Sequence, residues 1–337
     1  MIRVAMLSKW HVHAKDYLKQ ALHIPDIEVT LVWDENKDRG EAWAREIGVP
    51  FEPDLNKALT EHPVDAVVID TPTNMHKEVI LTAAKHKKHI FTEKVLSFDI
   101  NDCEEIFKAV EENHVQLMVS LPRLTENYYL YAQQALDEGL LGRLTSVRCR
   151  FAHNGAVPTN ENPNGWLPSH FFDAERCGGG AFIDLGAHPI YLSNRLAGPA
   201  KAVTARLTTN LNSYQVDDNA VAIVEFQSGA LGMLETSFVS SGSPFQLELY
   251  GTEGTVMIED NQMKIQSNKL KEKGWITPTN IPEPLPMPME QWIDAIKNQT
   301  YPTITNEDVF QLTQINQAAA LSHQQNRRVT ISSLNES

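Results

Sequence analysis

A chain of 337 residues has room for about two domains and can bury well over half of its unfolded surface. Hydrophobic residues make up 42% and charged residues 21%, which excludes disordered, collagen-like and coiled-coil classes, and the net charge of −14 sets the surface against nucleic acid. No apolar run approaches the ~18 to 20 residues of a membrane span, and the apolar start at residues 1–7 is too short for a signal peptide, so no membrane partner is expected and the cytoplasm is the expected location.

Five short apolar runs, residues 2–7, 28–33, 66–70, 89–92 and 116–120, alternate with helical patterns at 14–22, 39–47, 55–59, 77–86 and 101–113. Strands that read as continuous apolar runs, separated by helices, predict a parallel sheet covered on both faces: an α/β, Rossmann-type doubly wound domain over residues 1–121. From residue 122 to 337 the rhythm changes. A helix at 126–138 and another at 180–196 accompany strands at 203–211, 220–227, 230–238, 246–250 and 255–259, with turns at Ser228-Gly229 and Thr252-Glu253-Gly254. Prolines at 282, 284, 286 and 288 mark an extended connector before closing helices at 290–297 and 307–325. This predicts an α+β domain with a large, mainly antiparallel open-faced sheet, one face on its own helix and the other on a second subunit, giving a homodimer or homotetramer. Cys103, Cys149 and Cys177 share no short spacing and read as reduced thiols.

The turn after the first strand runs Ser8-Lys9-Trp10-His11-Val12-His13. A dinucleotide-binding fold places three glycines there, and Ser8, Trp10 and His13 stand in their places, although a helix N-terminus still offers N–H groups to a phosphate. The pair His11-x-His13 also fits the two histidines with which barrel hydrolases hold a divalent ion. The βα rhythm stops well short of a barrel, however; the other reading is that both histidines cap and pack the turn, and no metal is expected. Asp34 closes the second strand, where an acid can hold ribose hydroxyls and repel a 2′-phosphate, and carboxylates also close many strands without that task. Thr71-Pro72-Thr73-Asn74-Met75-His76 and Thr92-Glu93-Lys94-Val95 follow the third and fourth strands, at the carboxyl edge where open α/β sheets bind ligands. A shielded lysine there can donate to a substrate oxygen or relay a proton. Farther on, a glycine run at residues 178–180 leads into Asp184 and His188, four apart and so on one helical face, where a carboxylate can orient an imidazole for general base work; a buried pair that only fixes helix packing is the alternative.

The ordered set of Asp34, Thr71-Pro72-Thr73-Asn74-Met75-His76, Glu93-Lys94, Arg123, Gly139-Leu140-Leu141-Gly142 and Gly178-Gly179-Gly180 leading to Asp184-x-Gly186-x-His188 resembles the Gfo/Idh/MocA family of oxidoreductases, named for glucose-fructose oxidoreductase and inositol dehydrogenase. The resemblance implies a nicotinamide cofactor on the first domain and a sugar or cyclitol against the sheet of the second. It implies cofactor contacts from Ser8, Lys9, Trp10, His11, Val12, Asp34, Thr71, Pro72, Asn74, His76, Glu93 and Lys94. It also implies that Lys94 contacts nicotinamide and substrate, and that Asp184 with His188 is the proton-transfer pair. Arg123, His153, Asn154, Trp166, His170 and Tyr191 are the pocket candidates. Departures from the family pattern are the missing glycines, Val95 where proline usually stands, and Tyr191 where Asp or Asn is common. The expected function is hydride transfer between NAD(H), with NADP(H) second, and a secondary alcohol or ketone of a sugar, cyclitol or polyol; the alternative is a non-catalytic sugar or nucleotide sensor that keeps the fold.

Overall fold

Short apolar runs form the strands of the first sheet: β1 (Ile2–Leu7), β2 (Ile27–Trp33), β3 (Ala66–Ile69), β4 (His89–Thr92) and β5 (Leu117–Val119). All pair in parallel, in the order β2-β1-β3-β4-β5. Between them run α1 (Ala14–His23), α2 (Lys37–Ile47), α3 (Leu55–Thr60), α4 (His76–Lys85) and α5 (Ile100–Glu112). β3 is buried at every residue, as a strand covered on both faces must be. Asn36, Asp54 and Asp99 cap α2, α3 and α5 by accepting backbone N–H groups, which fixes where those helices start. This computed structural model describes residues 1–211 and 215–336; the last residue of the expected second domain, 337, lies outside them.

The second sheet is built from β6 (Leu144–Ala152), β7 (Ala200–Thr208), β8 (Asn219–Phe226), β9 (Leu231–Ser237), β10 (Gln246–Gly251), β11 (Gly254–Glu259), β12 (Gln262–Ser267) and β13 (Val329–Thr330). Their order is β12-β11-β10-β6-β9-β8-β7-β13, antiparallel throughout except for the parallel pair β6 and β9. With it go α6 (Asn127–Asp137), the single turns α7 (Ala174–Cys177) and α8 (Ala181–Asp184), α9 (Ala187–Ala197), and, after α10 (Pro288–Asn298), the long α11 (Asn306–Gln325). Buried and exposed residues alternate along β8 and β12, and α9 lies against β6 and β9 on the buried side. No helix among the described residues is long and apolar enough to cross a membrane.

Contact density divides the chain into Met1–Ser120 with Pro286–Asn306, and Leu121–Leu285 with Glu307–Ser337. In this division α10 is part of the first unit. Its Trp292 is 1% exposed, meets the Phe91 ring at 5.7 Å and donates from Nε1 to the Gln116 carbonyl at 3.4 Å. The helix covers β4 and β5, an apolar edge that would otherwise face water. Three strands lie outside the expected set: β6, β12 and β13. The expected helix over 180–196 is also two helices, parted at Leu185-Gly186, where the Gly186 N–H bonds the Ala181 carbonyl. A Cβ on Gly186 would lie 2.1 Å from the Phe182 oxygen, so the turn accepts only glycine there.

Candidate functional site

In the first unit the site residues gather at the carboxyl edge of the parallel sheet. Ser8 takes φ +76°, the left-handed conformation that glycine adopts freely, and its Oγ accepts the Trp10 N–H at 3.1 Å. Trp10 is 4% exposed, so its ring turns into the unit, whereas Val12 faces outward. The Asp34 carboxylate is fully engaged. It accepts from the backbone of Lys9 at 2.9 Å and of Asn36 at 2.8 Å, and from Arg39 at 2.9 Å through Nε and 2.7 Å through Nη2. Arg39 also donates to the Ser8 hydroxyl at 3.1 Å, so a guanidinium lies beside the acid expected to repel a 2′-phosphate.

At the ends of β3 and β4, His76 is buried with Nδ1 at 3.0 Å from the Val95 carbonyl and Nε2 at 3.2 Å from that of Thr71. Burial pushes its pKa down, and the ring ties the loop that carries Lys94 to the loop that carries Thr71. Asn74 is exposed on a short 3-10 turn (Thr73–Met75) and Pro72 is buried. Lys94 is 6% exposed, preceding a cis peptide to Val95. Beside it, Glu93 accepts from the Tyr17 hydroxyl, lies 3.2 Å from His13 Nδ1 and 3.9 Å from His11 Nδ1. Burial alone would push the Glu93 carboxyl up; His11, His13 and Lys94 more than reverse this and hold it well below the usual carboxylate range. Asp70 takes the opposite course: buried, with no partner for either carboxylate oxygen among the described residues, it is pushed up by burial and by the charge of Glu93.

In the second unit, His188 Nδ1 meets the Tyr191 hydroxyl at 2.7 Å. That tyrosine lies one turn on, on an unbroken helix, and Asp184 precedes the Leu185-Gly186 break. The His188 ring packs edge-on to Phe151 at 5.0 Å. Phe151 and Phe245 in turn hold the Arg123 guanidinium, 4.1 Å and 4.9 Å from their ring centres, and Arg123 donates to the Tyr128 hydroxyl at 3.0 Å. Burial pushes Tyr128 up to about 12, so it remains a neutral phenol. His153 stacks on Phe238 at 5.3 Å and meets Trp166 at 4.6 Å, and Trp166 Nε1 donates to Asn154 Oδ1 at 3.3 Å. His170 instead lies against Phe171. Phe151, Phe245 and Tyr128 escaped the sequence reading, although the alternation of Val147, Cys149 and Phe151 with Arg148 and Arg150 signals the strand that carries Phe151.

Known proteins show the same two-part pattern. Residues 7–121 match the oxidoreductase family with an NAD-binding Rossmann fold, and residues 129–257 match the GFO/IDH/MocA C-terminal domain. The chain belongs to the Gfo/Idh/MocA oxidoreductase family. It is 27% identical over 310 residues to scyllo-inositol 2-dehydrogenase (NAD(+)) of Bacillus subtilis (strain 168), covering 88% of this chain and 86% of the relative. It is 24% identical over 307 residues to scyllo-inositol 2-dehydrogenase (NADP(+)) IolU of the same organism, covering 88% and 89%. Levoglucosan dehydrogenase, solved in complex with NADH and L-sorbose, shares its fold with a TM-score of 0.84 at 21% identity, covering 99% of this chain and 100% of that one. As a member of this NAD-binding family the chain is an oxidoreductase, and the first unit's residues fit a dinucleotide despite the missing glycines. Ser8 adopts the conformation of the first glycine, α1 begins without a side-chain cap and so offers first-turn N–H groups to a phosphate, and the buried Thr71 hydroxyl has no partner among the described residues.

Proposed function

We propose that this protein transfers hydride between NAD(H) and a secondary alcohol or ketone of a sugar, cyclitol or related polyol. Asp34 would hold the adenosine ribose, Ser8, Lys9 and the start of α1 the phosphates, and Thr71 and Lys94 the nicotinamide end. When bound, the nicotinamide supplies the hydride acceptor or donor. The observation that carries the reading is Lys94, a lysine withdrawn from water at the carboxyl edge of the NAD-binding sheet, where its ammonium is worth more to a developing alkoxide than it would be in solvent. His188 takes the hydroxyl proton. The Tyr191 hydroxyl on Nδ1 fixes the ring, which assigns proton exchange to Nε2, and Asp184 adds negative charge on the neighbouring turn. Phe151 and Arg123, with His153 and Trp166, supply aromatic walls and a few donors, the composition that suits the CH faces and hydroxyls of a polyol.

The preference for NAD(H) rests on Asp34, with Arg39 as the competing group that would accept a 2′-phosphate once released from the carboxylate. Assembly into a homodimer or homotetramer is supported by the open face of the second sheet. There Val221, Ile223, Leu231 and Met233 are 44%, 48%, 49% and 41% exposed, and Ile223 stands directly opposite Met233 across β8 and β9. A panel of inositols, aldoses and polyols, read by nicotinamide absorbance with wild type and Lys94→Ala, tests the activity. Turnover of at least one cyclic polyol that is nearly abolished in the variant is the expected result, and cofactor binding without turnover anywhere in the panel would hand the function to a sensor. Light scattering of wild type and Ile223→Glu/Met233→Glu tests the assembly, with a wild-type oligomer falling to a monomer as the expected outcome.

A further inference from the structure

The turn after β1 holds more than a phosphate cradle. Among the described residues, only His11, His13 and Glu93 bring metal-ligand atoms together as a set of three: one ring nitrogen from each histidine and one Glu93 oxygen all lie within 4.8 Å of one another. The histidines stand on either side of Val12, so the turn presents both rings on one side, at 4.8 Å between ring centres. The carboxylate arrives from the end of β4, two strands away across β3. Zinc-type ions bind imidazole nitrogen and carboxylate oxygen at about 2.0 to 2.2 Å, which places neighbouring ligands a little over 3 Å apart. The His13–Glu93 separation of 3.2 Å already meets that, whereas His11 Nδ1, 3.9 Å from Glu93, accepts the His13 N–H at 3.2 Å and must give up that hydrogen bond and close by about 1 Å at most to ligate. A second observation points the same way. Asp70, whose main-chain oxygen accepts the His11 N–H at 3.1 Å, is 0% exposed with neither carboxylate oxygen partnered among the described residues, a buried polar group beside the cluster that its histidines do not answer. The Tyr17 hydroxyl donates to Glu93, the kind of outer partner that orients a ligating carboxylate.

We propose that His11, His13 and Glu93 form a binding site for a first-row divalent cation of the zinc type, with three protein ligands and a fourth position open to water or another oxygen ligand. Two imidazoles and a carboxylate favour such an ion over magnesium or calcium, which take oxygen ligands. The site lies wholly within the first unit, on the same turn and strand end that are proposed to hold the cofactor, so the metal titration is made in the absence of nicotinamide nucleotide. The full-length protein, stripped by chelator and dialysed, is titrated with Co(II) alone and then with Zn(II), following the visible absorption of bound Co(II) and metal content per chain. One equivalent is expected, with the thermal midpoint raised as for any ligand of the folded state. His13→Ala, whose side chain is 44% exposed and whose folding is checked by its thermal midpoint without metal, should weaken binding by more than about tenfold, since even outer partners of ligands cost that much. Glu93→Gln should do the same, whereas His23→Ala and Cys177→Ser should bind as wild type does. Absence of stoichiometric binding, equal binding by the His11→Ala/His13→Ala double variant, or loss of binding in Cys177→Ser would each overturn the assignment.

Discussion

The two units build their polar centres from opposite materials. At the strand ends of the first, two imidazoles and a phenol answer the Glu93 carboxylate, with the buried Asp70 carboxyl group beside it, so charge is met by charge in a dry place. In the second, a single guanidinium is wrapped between the Phe151 and Phe245 rings and beside the Tyr128 and Tyr191 phenols. The contrast separates tasks. Ion-rich chemistry such as phosphate and cation handling belongs where fixed charges converge, whereas aromatic walls with few donors suit a neutral, polyhydroxylated molecule whose CH faces need covering.

The sharpest way to break this division is His188→Ala. Turnover on the best substrate should fall on the order of 10² to 10⁴, the range for losing a positioned base, while nicotinamide affinity, measured by fluorescence titration, stays at the wild-type value; a parallel loss of both would mean that the second unit's histidine serves the cofactor. Tyr191→Phe should lose about tenfold or less and shift the pH profile, because the ring stays in place without its hydroxyl partner. Trp292→Ala attacks the first unit alone. Removing a fully buried indole should cost about 3 to 5 kcal/mol, visible in chemical denaturation of the whole chain as an earlier transition that takes cofactor binding with it.

Smaller effects address the Asp34–Arg39 pair. Asp34→Ala frees the guanidinium and should move the NAD/NADP affinity ratio about tenfold toward NADP(H), since a charge-assisted contact to phosphate replaces one to carboxylate; Arg39→Ala should move it the other way. The smallest change concerns Asp65, which Arg3 holds down at a pKa of about 2. A carboxyl whose folded value lies below its unfolded one stabilises the fold at neutral pH and down to its ordinary value of 3.8, and that contribution disappears as the pH falls toward about 2. Both partners are substantially exposed, so the effect is weak and salt-sensitive. Arg3→Ala should flatten the acid limb of the stability curve slightly.

The parallel sheet was plain in the sequence because each of its strands is a continuous apolar run fenced by helices and turn residues. The second sheet was harder to read. β6 carries arginines at 148 and 150, which look like surface until Arg148 is seen paired with Glu235 and Glu248 across the sheet at 2.6 and 3.2 Å. β12 is a polar edge strand, and β13 is two residues long, too short for any periodicity. Of the candidate site the sequence offers residue types in order, from Asp34 to His188, but not their partnerships. Spacing pointed to Asp184 beside His188, but nothing in it announced the contact of the Tyr191 hydroxyl with His188 Nδ1, which the continuous helix after Gly186 provides. Likewise, nothing local announces that Glu93 reaches the turn at His11 and His13, because that meeting depends on strand order: β1 and β4 flank β3.

The placement of α10 bears on how the protein comes into being. The polypeptide leaves the first unit after residue 120 and supplies its covering helix only from residue 286 onward, so during synthesis the Rossmann sheet emerges with the Phe91 edge bare. It must then wait for some 165 intervening residues to be made, at roughly 5 to 20 residues per second, which leaves that edge uncovered for on the order of ten seconds. An apolar edge exposed that long is a place where chaperones bind and wrong pairings start, and the nascent chain gains its last seal only when Trp292 arrives.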